Sequence, residues 1–268
     1  MTQFEELPEG CIATILSRTT PIDACRLSVV SNTFRSASDS DAVWNQFLPS
    51  DSQFMDSIIS NSPPLANVPS KKALYLALSD RPIIVDNGLK SFQLDRKSGK
   101  ICYMLAARSL SIAWVDDGRY WEWISMPNSR FRKVAKLHIV CWLDIRGMIN
   151  MRDLSPNTQY AAYLVFNLIN ASGFHNPNSP VEISVDVEGG CRSTKNVYLD
   201  PTVEDRSHNR EVGLQQTSVR NDGWLEIEIG EFFNPGLEDE EVQMNVKETN
   251  DYSSKMGLFV EGIEVRPK

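Results

Sequence analysis

The chain has 268 residues, of which 41% are hydrophobic and 23% charged, a balance that excludes a mostly disordered, collagen-like or coiled-coil protein. At roughly 150 residues per domain, that length predicts about two domains. A net charge of −8 provides no basic field to attract phosphate backbones, so nucleic acid is not an expected partner.

The first 50 residues read as short helices. Leu7-Pro8 opens the first, because a proline with fixed φ and no N–H suits a first helical position. Ile12, Ile15 and Leu16 follow at helical spacing. Thr20 is the expected N-cap of a second helix, with Asp23 completing a capping arrangement. Phe34 and Ala37 mark a third segment, and Trp44, Phe47 and Leu48 close the block before Pro49. Residues 50–69, rich in Ser, Asp, Asn and Pro, read as a linker. A short helix is predicted through 71–78, capped by Ser70 and ended by Pro82. Asn87-Gly88 and Ser98-Gly99 are turn signals.

From about residue 101 the hydrophobic period changes from 3.6 to 2. Val181, Ile183, Val185 and Val187 alternate with polar residues, as do Leu225, Ile227 and Ile229, and again Val242, Met244 and Val246. These are predicted half-buried antiparallel strands. Segments 137–145 and 160–169 are apolar on both faces and are expected in the middle of the domain. Strands without intervening helices predict a β-sandwich or jelly roll, so the whole chain is α+β multidomain.

Cys11, Cys25, Cys102, Cys141 and Cys191 are odd in number and nowhere spaced C-x-x-C. They predict free thiols in a reducing compartment, with neither a disulfide framework nor a metal site. The acidic N-terminus is unlike a signal peptide, and no apolar run approaches the roughly 20 residues that span a bilayer. The expectation is a soluble intracellular protein, and the sequon Asn170-Ala171-Ser172 is read as chance. Enzyme signatures fail on inspection. Leu94 stands where a phosphate loop before Ser98-Gly99-Lys100 needs glycine, and G-x-S-x-G and H-E-x-x-H motifs are absent. His138, His175 and His208 are scattered. Asp116-Asp117 and the acidic run 238–241 read as solvated loop charge, although a glycosidase pair of carboxylates stays open as a weak alternative.

Two motif sets remain. Phe4-x-x-Leu7-Pro8-x-x-x-Ile12-x-x-Ile15-Leu16, then Asp23–Ser31, Phe34-Arg35 and Val43-Trp44, resembles an F-box over residues 1–50. The resemblance implies docking to a Skp-type adaptor and cullin, with Leu7, Pro8, Ile12, Leu16, Val30 and Trp44 as adaptor-binding residues. About fifty residues bury too little surface to be comfortably stable alone, so an apolar face laid on a partner is also physically sensible. Residues 51–83 then form a linker with one helix.

Over 84–268, the segments Cys102–Leu105, Ala107–Trp114, Tyr120–Trp123, Trp142–Ile145, Tyr163–Phe166, Asp222–Ile227, Gly230–Asn234 and Val260–Lys268 resemble the phloem-protein-two or Nictaba lectin domain. Together the two sets are similar to plant F-box proteins carrying this lectin domain. The resemblance implies a nucleocytoplasmic ubiquitin-ligase adaptor that needs no cofactor and binds N-acetylglucosamine-containing glycans. It places carbohydrate-binding roles on Trp114, Trp121, Glu241 and Glu248. A protein target gripped without sugar recognition is the alternative. From the residues themselves, Asp117-Gly118 favours a two-residue hairpin turn, which would make Trp114 and Trp121 cross-strand neighbours on one face. Trp123 would brace them, and Trp142 and Trp224 are expected in the core.

Overall fold

A computed structural model describes residues 7–174, 180–188, 190, 192–200, 217–236 and 240–268. Phe4, His175, Cys191, His208 and the carboxylates at 238–239 lie outside the described residues. The chain divides into two compact units, residues 1–85 with 92–102 and residues 86–91 with 103–268.

The first unit contains α1 (Glu9–Leu16), α2 (Pro21–Leu27), α3 (Asn32–Asp39), α4 (Asp41–Trp44), α5 (Ser52–Asn61), α6 (Pro63–Ala66) and α7 (Lys71–Asp80). Capping fixes several of the starts. The Thr20, Ser31 and Ser70 hydroxyls accept the N–H groups of Asp23, Phe34 and Ala73 at 3.2, 3.3 and 3.2 Å. Pro8 stands just before α1 rather than inside it. Ile12, Leu16, Ala24, Phe34, Ala37 and Val43 form the interior of this block.

Trp44 is fully buried: its indole N–H donates to the Ser38 carbonyl at 2.6 Å, and its ring lies 5.1 Å from that of Tyr75 on α7. Ile12, Leu16 and Trp44, expected on the adaptor surface, are therefore interior. Helices this short have one apolar stripe each, and that stripe must first close their own core. The 51–83 segment holds three helices rather than one. Asp51 caps α5 by accepting Phe54 N–H at 3.0 Å, and Met55, Ile58 and Leu65 are buried. Polar composition hid an apolar i, i+3 pair.

The remaining elements are strands: β1 (Ile83–Val85), β2 (Lys90–Leu94), β3 (Ile101–Ala106), β4 (Ser111–Ile112), β5 (Trp121–Ile124), β6 (Val134–Leu137), β7 (Leu143–Asn150), β8 (Thr158–Ser172), β9 (Val181–Val187), β10 (Ser193–Val197), β11 (Ser218–Val219), β12 (Leu225–Asn234), β13 (Glu241–Glu248) and β14 (Met256–Pro267). In the second unit they form two antiparallel sheets. The larger runs β3-β14-β8-β12-β11, with β6 also on β14 and β5 on β6; the smaller runs β10-β9-β13-β7-β4.

Inward alternation joins the sheets. Ile145, Ile149, Ile183, Val185, Val242, Met244 and Val246 of the smaller sheet are buried. A Cβ placed on Gly147 of β7 would meet Ile263 and Leu110 at 3.0 Å, so the sheets touch where that residue has no side chain. Segment 160–169 lies in central β8 as expected, whereas 137–145 is broken by an irregular stretch between β6 and β7. Arg130, Arg220 and Arg266 surround the carboxylate of Glu264 on β14 at 3.0, 2.6 and 2.7 Å. Burial pushes that carboxyl up, but the charges of Arg130 and Arg220 outweigh it and bring it down to about 2.

Candidate functional site

Three loops of the second unit emerge together at one end of the sandwich. Ile112 at the end of β4 faces Ile145, and Leu143 at the start of β7 faces Glu248 at the end of β13. Loop 113–120 thus follows β4, loop 138–142 precedes β7, and loop 249–255 follows β13. Backbone bonds tie them side by side. His138 N–H donates to Tyr120 O at 2.8 Å, and Val140 and Lys255 exchange N–H···O bonds of 3.0 and 2.7 Å.

Loop 113–120 contains no two-residue hairpin turn. Asp117 N–H reaches Trp114 O at 3.0 Å, and the N–H groups of Tyr120 and Trp121 reach Asp117 O at 2.9 and 3.1 Å. These successive turns carry the chain from one sheet to the other, since β4 pairs with β7 and β5 with β6. Trp114 and Trp121 are consequently not cross-strand neighbours. Trp121 is only 3% exposed, and its indole N–H donates to Ala113 O at 3.0 Å. It is a core residue, which corrects the expected two-indole platform.

Trp114 is 57% exposed and held at φ +65°, a left-handed conformation that a bulky residue adopts only under strain. Its ring lies 6.0 Å from that of Tyr120. With Ile112, Val115, Asp116, Asp117 and Gly118 it lines a shallow recess. Hydrogen bonds from the Arg119 side chain and backbone hold the Asp117 carboxyl down to about 2, so it stays ionised at neutral pH. Trp123 does not brace the two indoles; it lies half-buried with the Arg108 guanidinium 4.8 Å from its ring. Trp224 is core as expected, donating to Asn128 O at 3.2 Å. Trp142 is not: it is 45% exposed, and its ring centroid lies 6.1 Å from that of Tyr252.

The two glutamates separate. Glu241 pairs with Asn150 at the far end of β13, about 24 Å of strand from Glu248, and so is not brought to Trp114. Glu248 reaches the right end but is buried at 2% exposure. One of its oxygens accepts the N–H groups of Asn250 and Asp251 at 2.9 Å each, and its carboxylate pairs with Lys255. The equally buried Lys255 ammonium also donates to the carbonyls of Cys141, Asp251 and Ser253 at 2.8, 3.2 and 3.2 Å. Glu248 therefore braces loops. Tyr252 and Lys255 were missed from the sequence. The available signal was an aromatic residue set in the polar run Thr249–Ser254.

In the first unit, Pro8 and Val30 are exposed and Leu7 is half-buried. Cys11, Ile15 and Val29 are exposed as well, with Pro8, Cys11 and Ile15 spaced to share a face at the start of α1. Among the described residues, no group of three or more His, Cys, Asp and Glu is placed to hold a metal ion. No helix there is long and apolar enough to cross a membrane.

Comparison with known proteins locates two family matches: Phloem protein 2 over residues 100–267 and F-box domain over residues 4–46. The putative F-box protein PP2-B12 of Arabidopsis thaliana is 44% identical over 267 residues, covering 99% of this chain and 98% of that one. F-box protein PP2-B10 of the same plant is 43% identical over 267 residues, covering 98% and 94%. F-box protein VBF, also from Arabidopsis thaliana, is 40% identical over 283 residues, covering 98% and 99%. Among solved structures, a Podospora anserina GH26-CBM35 mannanase aligns over 62% of this chain and 28% of its own, with 9% identity and a TM-score of 0.33, too low to bear on function.

Proposed function

This chain belongs to the F-box proteins that carry a phloem protein 2 domain, and we propose that it presents N-acetylglucosamine-containing glycoproteins to a Skp–cullin–F-box ubiquitin ligase in the cytoplasm and nucleus. The F-box half marks a substrate adaptor of that ligase type, whose partners are a Skp-type adaptor and a cullin. Such a subunit raises the effective concentration of its target near the ubiquitin donor and needs no bond chemistry of its own.

The observation that carries the glycan assignment is Trp114, an exposed indole held in a strained backbone conformation at the loop end of the sandwich. A ring so placed offers an apolar face for sugar C–H groups and an N–H donor at its edge. The recess is shallow, so affinity should fall between millimolar and micromolar, about −4 to −8 kcal/mol. The test is a glycan array probed with the full chain, alongside capture of a Skp-type adaptor. Retention of N-acetylglucosamine oligomers by wild type is expected. An array blank for every glycan, with adaptor captured, would leave a recruiter of bare protein surfaces instead.

A further inference from the structure

The geometry points to a second saccharide-stacking site, formed by Trp142 and Tyr252 on the loops beside Trp114; this deepens the glycan reading and rests on it. Both rings are exposed, Trp142 by 45% and Tyr252 by 76%. Their centroids are 6.1 Å apart and their planes inclined by 54°, which makes an open corner rather than a stack. A pyranose ring can lay its C–H face on one ring and its edge against the other. The Tyr252 loop also carries the exposed Asn250 and Ser254, whose side chains can hydrogen-bond hydroxyls.

The corner is built, not incidental. The loops that carry the two rings are locked to each other by the Val140–Lys255 backbone pair and by the buried Lys255 ammonium, which holds carbonyls from both. Burying an ion pair such as Glu248–Lys255 is a poor source of stability compared with apolar packing of the same volume. What it does supply here is a fixed relation between Trp142 and Tyr252. In this arrangement Glu248 is a positioning residue, acting through Lys255 on the two loops.

The test titrates the full chain with triacetylchitotriose by calorimetry, comparing wild type with Trp142→Ala, Tyr252→Ala, Trp142→Phe and Trp114→Ala. Trp142→Ala should weaken binding about tenfold and Tyr252→Ala about fivefold, with unchanged thermal midpoints. Trp142→Phe should stay within about threefold of wild type, because an aromatic face is retained. If Trp142→Ala fails to fold, the more exposed Tyr252→Ala decides alone. Wild-type affinity in both alanine variants, with loss in Trp114→Ala, overturns this site and leaves the glycan reading standing. Absence of binding by wild type to any glycan on the array overturns both.

Discussion

Lys255→Met is the sharpest test of how this sandwich end is held. The substitution keeps an unbranched chain of similar length and removes only the ammonium. Glu248, 2% exposed, would keep the two N–H groups of Asn250 and Asp251 but lose its counter-charge. The carbonyls of Cys141, Asp251 and Ser253 would lose a donor at the same time. Breaking a buried pair from one side costs about 3–5 kcal/mol, a figure that already contains much of the stranded-group penalty. For a unit of this size each kcal/mol moves the melting midpoint by roughly 2–4 °C, so a fall of roughly 6–20 °C is expected. Glu248→Gln should be milder, about 1–3 kcal/mol, because the Lys255 ammonium keeps its three carbonyl acceptors and the amide oxygen still accepts the loop N–H groups. The double variant should lose less than the sum of the two, with a coupling of about 0.5–3 kcal/mol. Scanning calorimetry on the full chain reads the midpoints and urea unfolding the free energies. A Lys255→Met protein within about 1 kcal/mol of wild type, or strictly additive variants, would refute the reasoning.

Replacing Leu7 and Pro8 together by Ala, or Val30 by Glu, should weaken capture of a Skp-type adaptor in pull-down while leaving the melting curve intact; unchanged capture would move the docking surface elsewhere. Trp44→Ala should instead destabilise the first unit by about 3–5 kcal/mol, since its ring is wholly enclosed, and circular dichroism during urea unfolding reads this. Trp121→Ala should cost a similar 3–5 kcal/mol and Trp114→Ala less than about 1 kcal/mol, an order that equal losses would contradict. Acid should loosen the Glu264 cluster. With its folded carboxyl at about 2 against an ordinary 4.5, it contributes about 3 kcal/mol, fully present above pH 4.5 and lost as pH falls toward 2. Glu261, which burial pushes up, works in the opposite direction and in a separate window above pH 4.5: its contribution is fully present below that pH and lost as pH rises through its folded value. Glu264→Gln should flatten acid-induced unfolding below pH 4.5, and an unchanged acid limb would remove Glu264 from its cause.

Periodicity carried most of the fold. Val181–Val187 and the Val242, Met244, Val246 set form strands with the predicted face inward, because one sheet face must be buried and alternation permits only one register. Caps at Thr20 and Ser70 were equally legible, since the capping hydroxyl acts within its own turn. What failed depended on contacts distant in sequence. Trp121 and Trp114 look alike in a strand pattern, and only the crossing of loop 113–120 between sheets buries one and exposes the other. Glu248 looks like a loop carboxylate until Lys255 is folded beside it. Trp142 reads as core because large aromatics at strand spacing usually pack inward, but it sits just outside β7, where alternation no longer dictates a side. In the first unit the adaptor motif was legible as a motif, yet the same spacing encodes both the stripe that faces the partner and the stripe that closes the block.

The position of β14 bears on how the second unit assembles. This strand is the last in chain order, yet it fills the middle of the larger sheet, with β8 along one edge and β6 and β3 sharing the other. Met104 finds its partner Glu264 some 160 residues later, at 264 − 104, so the central pairings close very long loops. Such pairings slow folding, because loop-closure entropy is lost before the contacts form. During synthesis β3 and β8 stand with unpaired edges until β14 leaves the ribosome, and unpaired edges are where strands of other chains add. The sheet is therefore completed from its centre only after the strands on either side of β14 have been made, and until then its nascent form carries exposed pairing edges that the finished sheet does not show.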